Sequence, residues 1–166
     1  MDKDKQKKIA FLLPGRDITP CGGYKIVYEY ANRFSDAGYE VSIVYPHVED
    51  IFSKSKKNIF FRIKRYFGFI IKWKLGGRLK GGEWFDLSSN IRKIFVFRLD
   101  NHFLKGKLKD NRIVATAIET AYALNKITFI PDKNKFYFIQ DFEKWHGKTD
   151  DDVYNSFRFP LKKIVI

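Results

Sequence analysis

Cysteine is all but missing from this sequence: Cys21 is the single one in 166 residues. That excludes an internal disulfide and any four-cysteine metal site, and it suits a reducing cytosol. Histidine is scarce as well. His47, His102 and His146 lie far apart and show none of the spacings that bind zinc, so no metal is expected. No apolar run of 18 residues free of charge occurs, so no segment spans a bilayer unaided. Met1 to Lys8 is charged and lacks the apolar stretch of a secretory signal. There is no G-x-G-x-x-G and no G-x-x-x-x-G-K-[ST], which removes the main support for a dinucleotide dehydrogenase or a P-loop enzyme. Acid is missing from one long stretch. Between Ser53 and Gly82 there is no Asp or Glu, but there are ten basic residues.

What is present is a globular composition, with 45% hydrophobic and 17% aromatic residues, in a length that fits one domain with one core. The net charge of +13 is concentrated in that acid-free stretch, which points to one anionic surface as a partner. Along the chain, Lys7 to Pro14 (KKIAFLLP) has the pattern of a buried parallel strand. Gly15 to Gly23 is dense in turn formers and predicts a loop. From Gly22 the period changes to 3.6, with Ile26, Tyr30 and Phe34 in line and Val27 and Ala31 beside them. This predicts a helix to about Ala37, stopped by Gly38. Tyr39 to Tyr45 reads as the second strand, closing a strand–loop–helix–strand unit. Further strands are predicted at Lys93 to Leu99, Arg112 to Thr116, Lys135 to Gln140 and Leu161 to Ile166, with a short helix over Ala117 to Leu124. Alternating strands and helices imply an α/β fold, a Rossmann-like parallel sheet flanked by helices. The chain ends inside a strand signal with no helix to cover it, as expected of a piece of a longer protein.

In a parallel sheet, ligands bind beyond the carboxyl ends of the strands, and the loop ending in Gly22-Gly23 follows the first of these. Paired glycines at a helix start let backbone approach a ligand, and the free N–H groups suit a phosphate. The stretch from Ile9 to Pro46 resembles the opening of family 4 glycosyltransferases of the GT-B type. The resemblance lies in Gly22 and Gly23, the helix pattern Glu29 to Phe34, and Ala37-Gly38 followed by Glu40 to Val44. Ala115 to Leu124, then Phe136 to Glu143 with its QDFE, then PLKKIVI, resemble a rhamnosyltransferase-like branch of that superfamily. The likeness covers residues 8–45 and 112–166, on either side of a dissimilar basic, aromatic insertion at about 47–90.

The resemblance implies that residues 1–166 are one Rossmann-like, acceptor-side domain of a hexosyl- or rhamnosyltransferase. A nucleotide-sugar donor would be held mainly by a C-terminal half, where the family carries its E-x7-E motif. That half is absent here, so this polypeptide is expected to be inactive alone. No cofactor is implied beyond the nucleotide-sugar co-substrate, and the acceptor would be a glycan or a lipid-linked sugar. Gly22, Gly23 and Tyr24 match the loop that faces the donor diphosphate. Glu119, Thr120 and Asp141 to Glu143 follow strand ends and would face the same cleft, or else cap helices. Asp141 and Glu143, two residues apart in extended chain, share a face and are the catalytic candidates, able to orient an acceptor hydroxyl. No nucleophile is assigned. A non-catalytic sugar- or nucleotide-binding module of the same fold is the alternative.

The segment Asn58 to Leu75 predicts a helix with Ile59, Phe60, Ile63, Tyr66, Phe67, Ile70, Ile71 and Trp73 on one arc. Arg62, Lys64, Arg65 and Lys72 lie opposite, while Phe61, Phe69, Lys74 and Leu75 break the pattern. A basic helix with aromatic anchors is of the interfacial type, so an anionic membrane surface is the expected partner, contacted by Arg62, Lys64, Arg65, Phe67, Lys72 and Trp73. Packing on the core is the competing outcome. Nucleic acid is disfavoured, since the basic residues sit in one insertion without a recognised motif. The expected location is the cytoplasm, peripheral to the inner face of the membrane.

Overall fold

The computed structural model describes residues 7–15, 19–47, 64, 66–71, 81–144 and 148–166. They build one six-stranded sheet in the order β3-β2-β1-β4-β5-β6, with every pair parallel. The strands are β1 (Lys8–Leu12), β2 (Glu40–Pro46), β3 (Arg92–Val96), β4 (Arg112–Ala115), β5 (Lys135–Ile139) and β6 (Lys162–Val165). The helices are α1 (Gly22–Asp36), α2 (Asn101–Leu108), α3 (Ile118–Asn125) and α4 (Asp150–Arg158). This is the Rossmann-like α/β architecture expected from the sequence.

The central strands are apolar throughout because each buries both faces. In β1, Ala10 and Leu12 enter one layer with Leu104, Leu108, Ala121 and Leu124, the core faces of α2 and α3. Ile9 and Phe11 enter the opposite layer with Val27, Tyr28 and Ala31 of α1. The buried line of α1 therefore runs through Val27 and Ala31, while Ile26, Tyr30 and Phe34 pack only partly buried at its margin. Gly38 ends the helix with φ +82, the left-handed conformation foreseen for it.

Asn32 of α1 pins the segment before β3. Its Nδ2 donates to the Asp86 carbonyl (2.8 Å) and its Oδ1 accepts from Ser88 N–H (3.0 Å). Trp84 and Phe85 then pack on Tyr28, with centroids 5.7 and 5.5 Å away. Here backbone lies directly on rings: a Cβ at Gly81 would sit 2.7 Å from the Tyr45 ring.

Residues 66–71 are helical and cover the carboxyl ends of β2 and β3. Phe69 is buried against His47 and Phe97, and Tyr66 meets Phe97 edge-on at 5.0 Å. The expected arc is corrected here. Phe69, which broke the pattern, is the inward residue, whereas Phe67 and Ile71 are 57% and 52% exposed beside exposed Lys64. Helical spacing explains this: residues 67 and 71 share a face, and 66 and 69 share another. Arg62, Arg65, Lys72 and Trp73 lie outside the described residues.

Candidate functional site

The strand order reverses between β1 and β4. The chain leaves β1 for α1 on one face and leaves β4 for α3 on the other. A crevice at the carboxyl ends of these strands follows from that topology. Thr116 ties its two walls together, donating from Oγ1 to the Leu12 carbonyl across 2.8 Å.

On the α1 wall, the helix begins at Gly22 after Cys21, which supplies no side-chain cap, and no acid stands in its first turn. Gly22, Gly23 and Cys21 are exposed, and Tyr24 is half-buried. A Cβ at Gly22 would meet nothing within 4 Å, and one at Gly23 would meet only Gln140 Oε1 at 3.5 Å, an ordinary contact. Neither glycine has positive φ. The fold itself therefore does not demand glycine at either position. Gln140, at the end of β5, donates from Nε2 to the Thr116 carbonyl (3.4 Å), and its buried Oε1 has no hydrogen-bond partner among the described residues.

The β4–α3 wall is built differently. Thr120 is fully buried, and its hydroxyl is spent on the turn. It accepts from Thr116 N–H (2.9 Å) and Ala117 N–H (3.0 Å) and donates to the Ala117 carbonyl (2.8 Å). Thr120 is thus a helix-start lock rather than a group presented to a ligand. Ala117 at the N-cap has no side-chain acceptor, and Glu143 supplies one from a distance: its Oε2 accepts from Ile118 N–H at 3.0 Å. Glu119, beside it in the first turn, pairs with Lys148 at 2.5 Å, and that lysine side chain is only 1% exposed.

Asp141 and Glu143 are two residues apart as foreseen, but their surroundings separate them. Asp141 is exposed, with Oδ1 accepting from Phe142 N–H (2.6 Å). Glu143 is buried. Burial pushes the Glu143 carboxyl up to about 7, a rise that the Ile118 N–H opposes; Glu119 and Asp141 add to it and Lys148 works against it. Tyr137 is likewise raised from its ordinary value, first by burial and then by the Glu143 charge. The result is a carboxyl that exchanges its proton near neutral pH, held at a strand end beside an exposed carboxylate. Of the two, the exposed Asp141 carboxylate is the one placed to accept a hydrogen bond from a hydroxyl, while Glu143 serves the start of α3.

Lys148, Gln140 and Thr116 are the site residues that sequence reasoning missed. Lys148 carries no signal in its neighbourhood, whereas Gln140 stands in the same QDFE as the two carboxylates. Among the described residues no group of three or more His, Cys, Asp or Glu could hold a metal ion. Among them too, no helix is long and apolar enough to cross a membrane. No protein-family profile matches the chain, and no curated protein matches its sequence.

Proposed function

We propose that this chain is the acceptor-side domain of a GT-B glycosyltransferase, acting on a glycan or lipid-linked acceptor with a nucleotide-sugar donor. The observation that carries it is a convergence at the β1/β4 crevice. An uncapped helix start with two unconstrained glycines lies against Gln140, and exposed Asp141 follows Gln140 in the chain. The helix start is suited to a diphosphate, through N–H groups and the helix dipole. The Asp141 carboxylate is suited to sugar hydroxyls. The resemblance to family 4 enzymes rests on the same residues.

The membrane reading belongs with this one. Exposed Lys64, Phe67 and Ile71 stand at the carboxyl end of the sheet, the end at which a lipid-linked acceptor would enter. The test is direct. The protein expressed from its full reading frame is incubated with labelled uridine-, guanosine- and thymidine-diphosphate hexoses and a membrane-lipid extract. A labelled lipid or glycan product is expected, reduced by Asp141→Asn. Absence of transfer from every donor would leave the sugar-binding module as the better description.

A further inference from the structure

Beside the crevice lies an aromatic pair that the site described so far does not use. Phe142, between the two carboxylates, is 38% exposed, and Tyr154 of α4 is 53% exposed. Their rings meet edge to face at 5.5 Å, and Phe157, half-buried, backs Phe142 at 6.4 Å. A loop phenylalanine held outward by two further rings is a preorganised surface, because its position is fixed before anything binds. Acid surrounds it. Asp141 flanks Phe142, and α4 opens on Asp150, Asp151 and Asp152. Among the described residues of these two segments, the exposed cations are Lys144, paired with Asp150 at 2.9 Å, and Arg158, one turn beyond Tyr154, which donates to Asn155 Oδ1 at 3.2 Å.

We propose that Phe142 and Tyr154 form a stacking platform for one pyranose ring of the acceptor, with Asp141 accepting hydrogen bonds from that ring's hydroxyls. This rests on the glycosyltransferase reading and extends it to an acceptor subsite. Size and charge select the occupant. Two rings offer far less than the roughly 800 Å² per partner that a stable protein interface needs. Nucleic acid would stack on the rings, but its phosphates would meet Asp141 and the acid start of α4. An anionic membrane is repelled in the same way. A neutral polyhydroxylated ring has apolar C–H faces for the aromatics and hydroxyl donors for the carboxylate. Asp141 Oδ1 already accepts from Phe142 N–H, which fixes the carboxylate beside the ring it serves.

The platform is tested on the 166-residue chain carrying ¹³C-labelled Phe and Tyr. It is titrated with methyl α-L-rhamnopyranoside, methyl α-D-glucopyranoside and methyl β-D-galactopyranoside at millimolar concentration. At least one glycoside should shift the Phe142 and Tyr154 ring resonances saturably. Phe142→Ala and Tyr154→Ala should each weaken binding about tenfold, the scale of a stacked aromatic. Asp141→Asn should weaken it as well. Tyr154 is exposed, so its variant keeps the fold and carries the test even if Phe142→Ala does not fold. No shift with any of the three glycosides, or equal shifts with cyclohexanol, overturns the proposal. The two readings can also fail separately. Saturable glycoside binding without transfer by the full-length protein supports the platform and sinks the transferase. Transfer with an acceptor KM unchanged by Tyr154→Ala does the reverse.

Discussion

At the scale of single residues, the two kinds of glycine in this protein make opposite predictions. Gly82 adopts φ +66, and a Cβ there would stand 2.9 Å from the Tyr45 hydroxyl and 3.0 Å from the Tyr28 ring. Gly82→Ala should cost about 1–3 kcal/mol, read as a lower midpoint in urea. Gly23 has neither constraint, so Gly23→Val should leave thermal stability nearly unchanged while, on the proposed transferase reading, raising donor KM in the protein expressed from its full reading frame. Unaltered kinetics would mean that the glycines shape only a turn. Glu143 gives a pH signature. Its carboxyl titrates near 7 in the folded protein and near 4.5 otherwise. Between those values the folded state holds a proton that the unfolded chain has lost. Stability from this group therefore falls as pH rises through that window, by about 3 kcal/mol at most. Glu143→Gln keeps an acceptor for Ile118 N–H and has no charge to bury. Its melting temperature should gain on the parent between pH 5 and pH 8, and a constant difference would refute the burial penalty. Asp141 and Glu143 were legible as a pair because strand ends are where function collects. Their separation into an exposed and a buried group was not, since it depends on Glu143 reaching the start of a helix 25 residues away in sequence.

At the scale of elements, the strands announced themselves and two helices did not. β1, β4, β5 and β6 are short runs that lie within their expected ranges, while β2 runs one residue past its own, through Pro46. α2 was hidden because it is eight residues long and carries Gly106, although Asp100 caps it by accepting from Phe103 N–H. α4 had a readable start. Thr149 and Asp152 bond reciprocally, with three aspartates in the first turn. Few apolar residues follow, so periodicity gave no cue. The helical residues 66–71 show how a wheel drawn over too long a segment misplaces its seam: Phe69 anchors inward and Phe67 faces out. This sharpens the membrane prediction. The protein should co-sediment with phosphatidylglycerol vesicles, less at high salt and not with neutral lipid. Phe67→Ser with Ile71→Ser should reduce binding without unfolding, since both side chains are half exposed. Replacing Arg62, Lys64, Arg65 and Lys72 with Glu should abolish it. Equal binding to neutral vesicles would contradict the electrostatic account.

At the scale of the whole molecule, the parallel sheet was legible from the alternation of elements, but its strand order was not, because crossovers leave no local mark. That order sets the crevice, both walls of which belong to this chain; on the proposed transferase reading the donor is held elsewhere, so the 166-residue chain alone should transfer no sugar. Turnover of any nucleotide-sugar by the isolated chain would overturn this. The order also leaves β6 at a sheet edge with all four residues exposed and with Ile164, Val165 and Ile166 apolar. Among the described residues nothing pairs with this edge, which is a template for another strand, and Lys162 and Lys163 stand on it. Lys163 is tethered to the Phe159 carbonyl and Lys162 lies over the Phe136 ring, so both charges stay near the edge. In dilute buffer the mutual repulsion of these ammonium groups, within a chain of net charge +13, keeps two such edges apart. Salt removes that guard, because the screening length falls to about 3 Å at 1 M. Scattering by this protein should thus rise as salt is added, and Ile164→Lys should restore monodispersity.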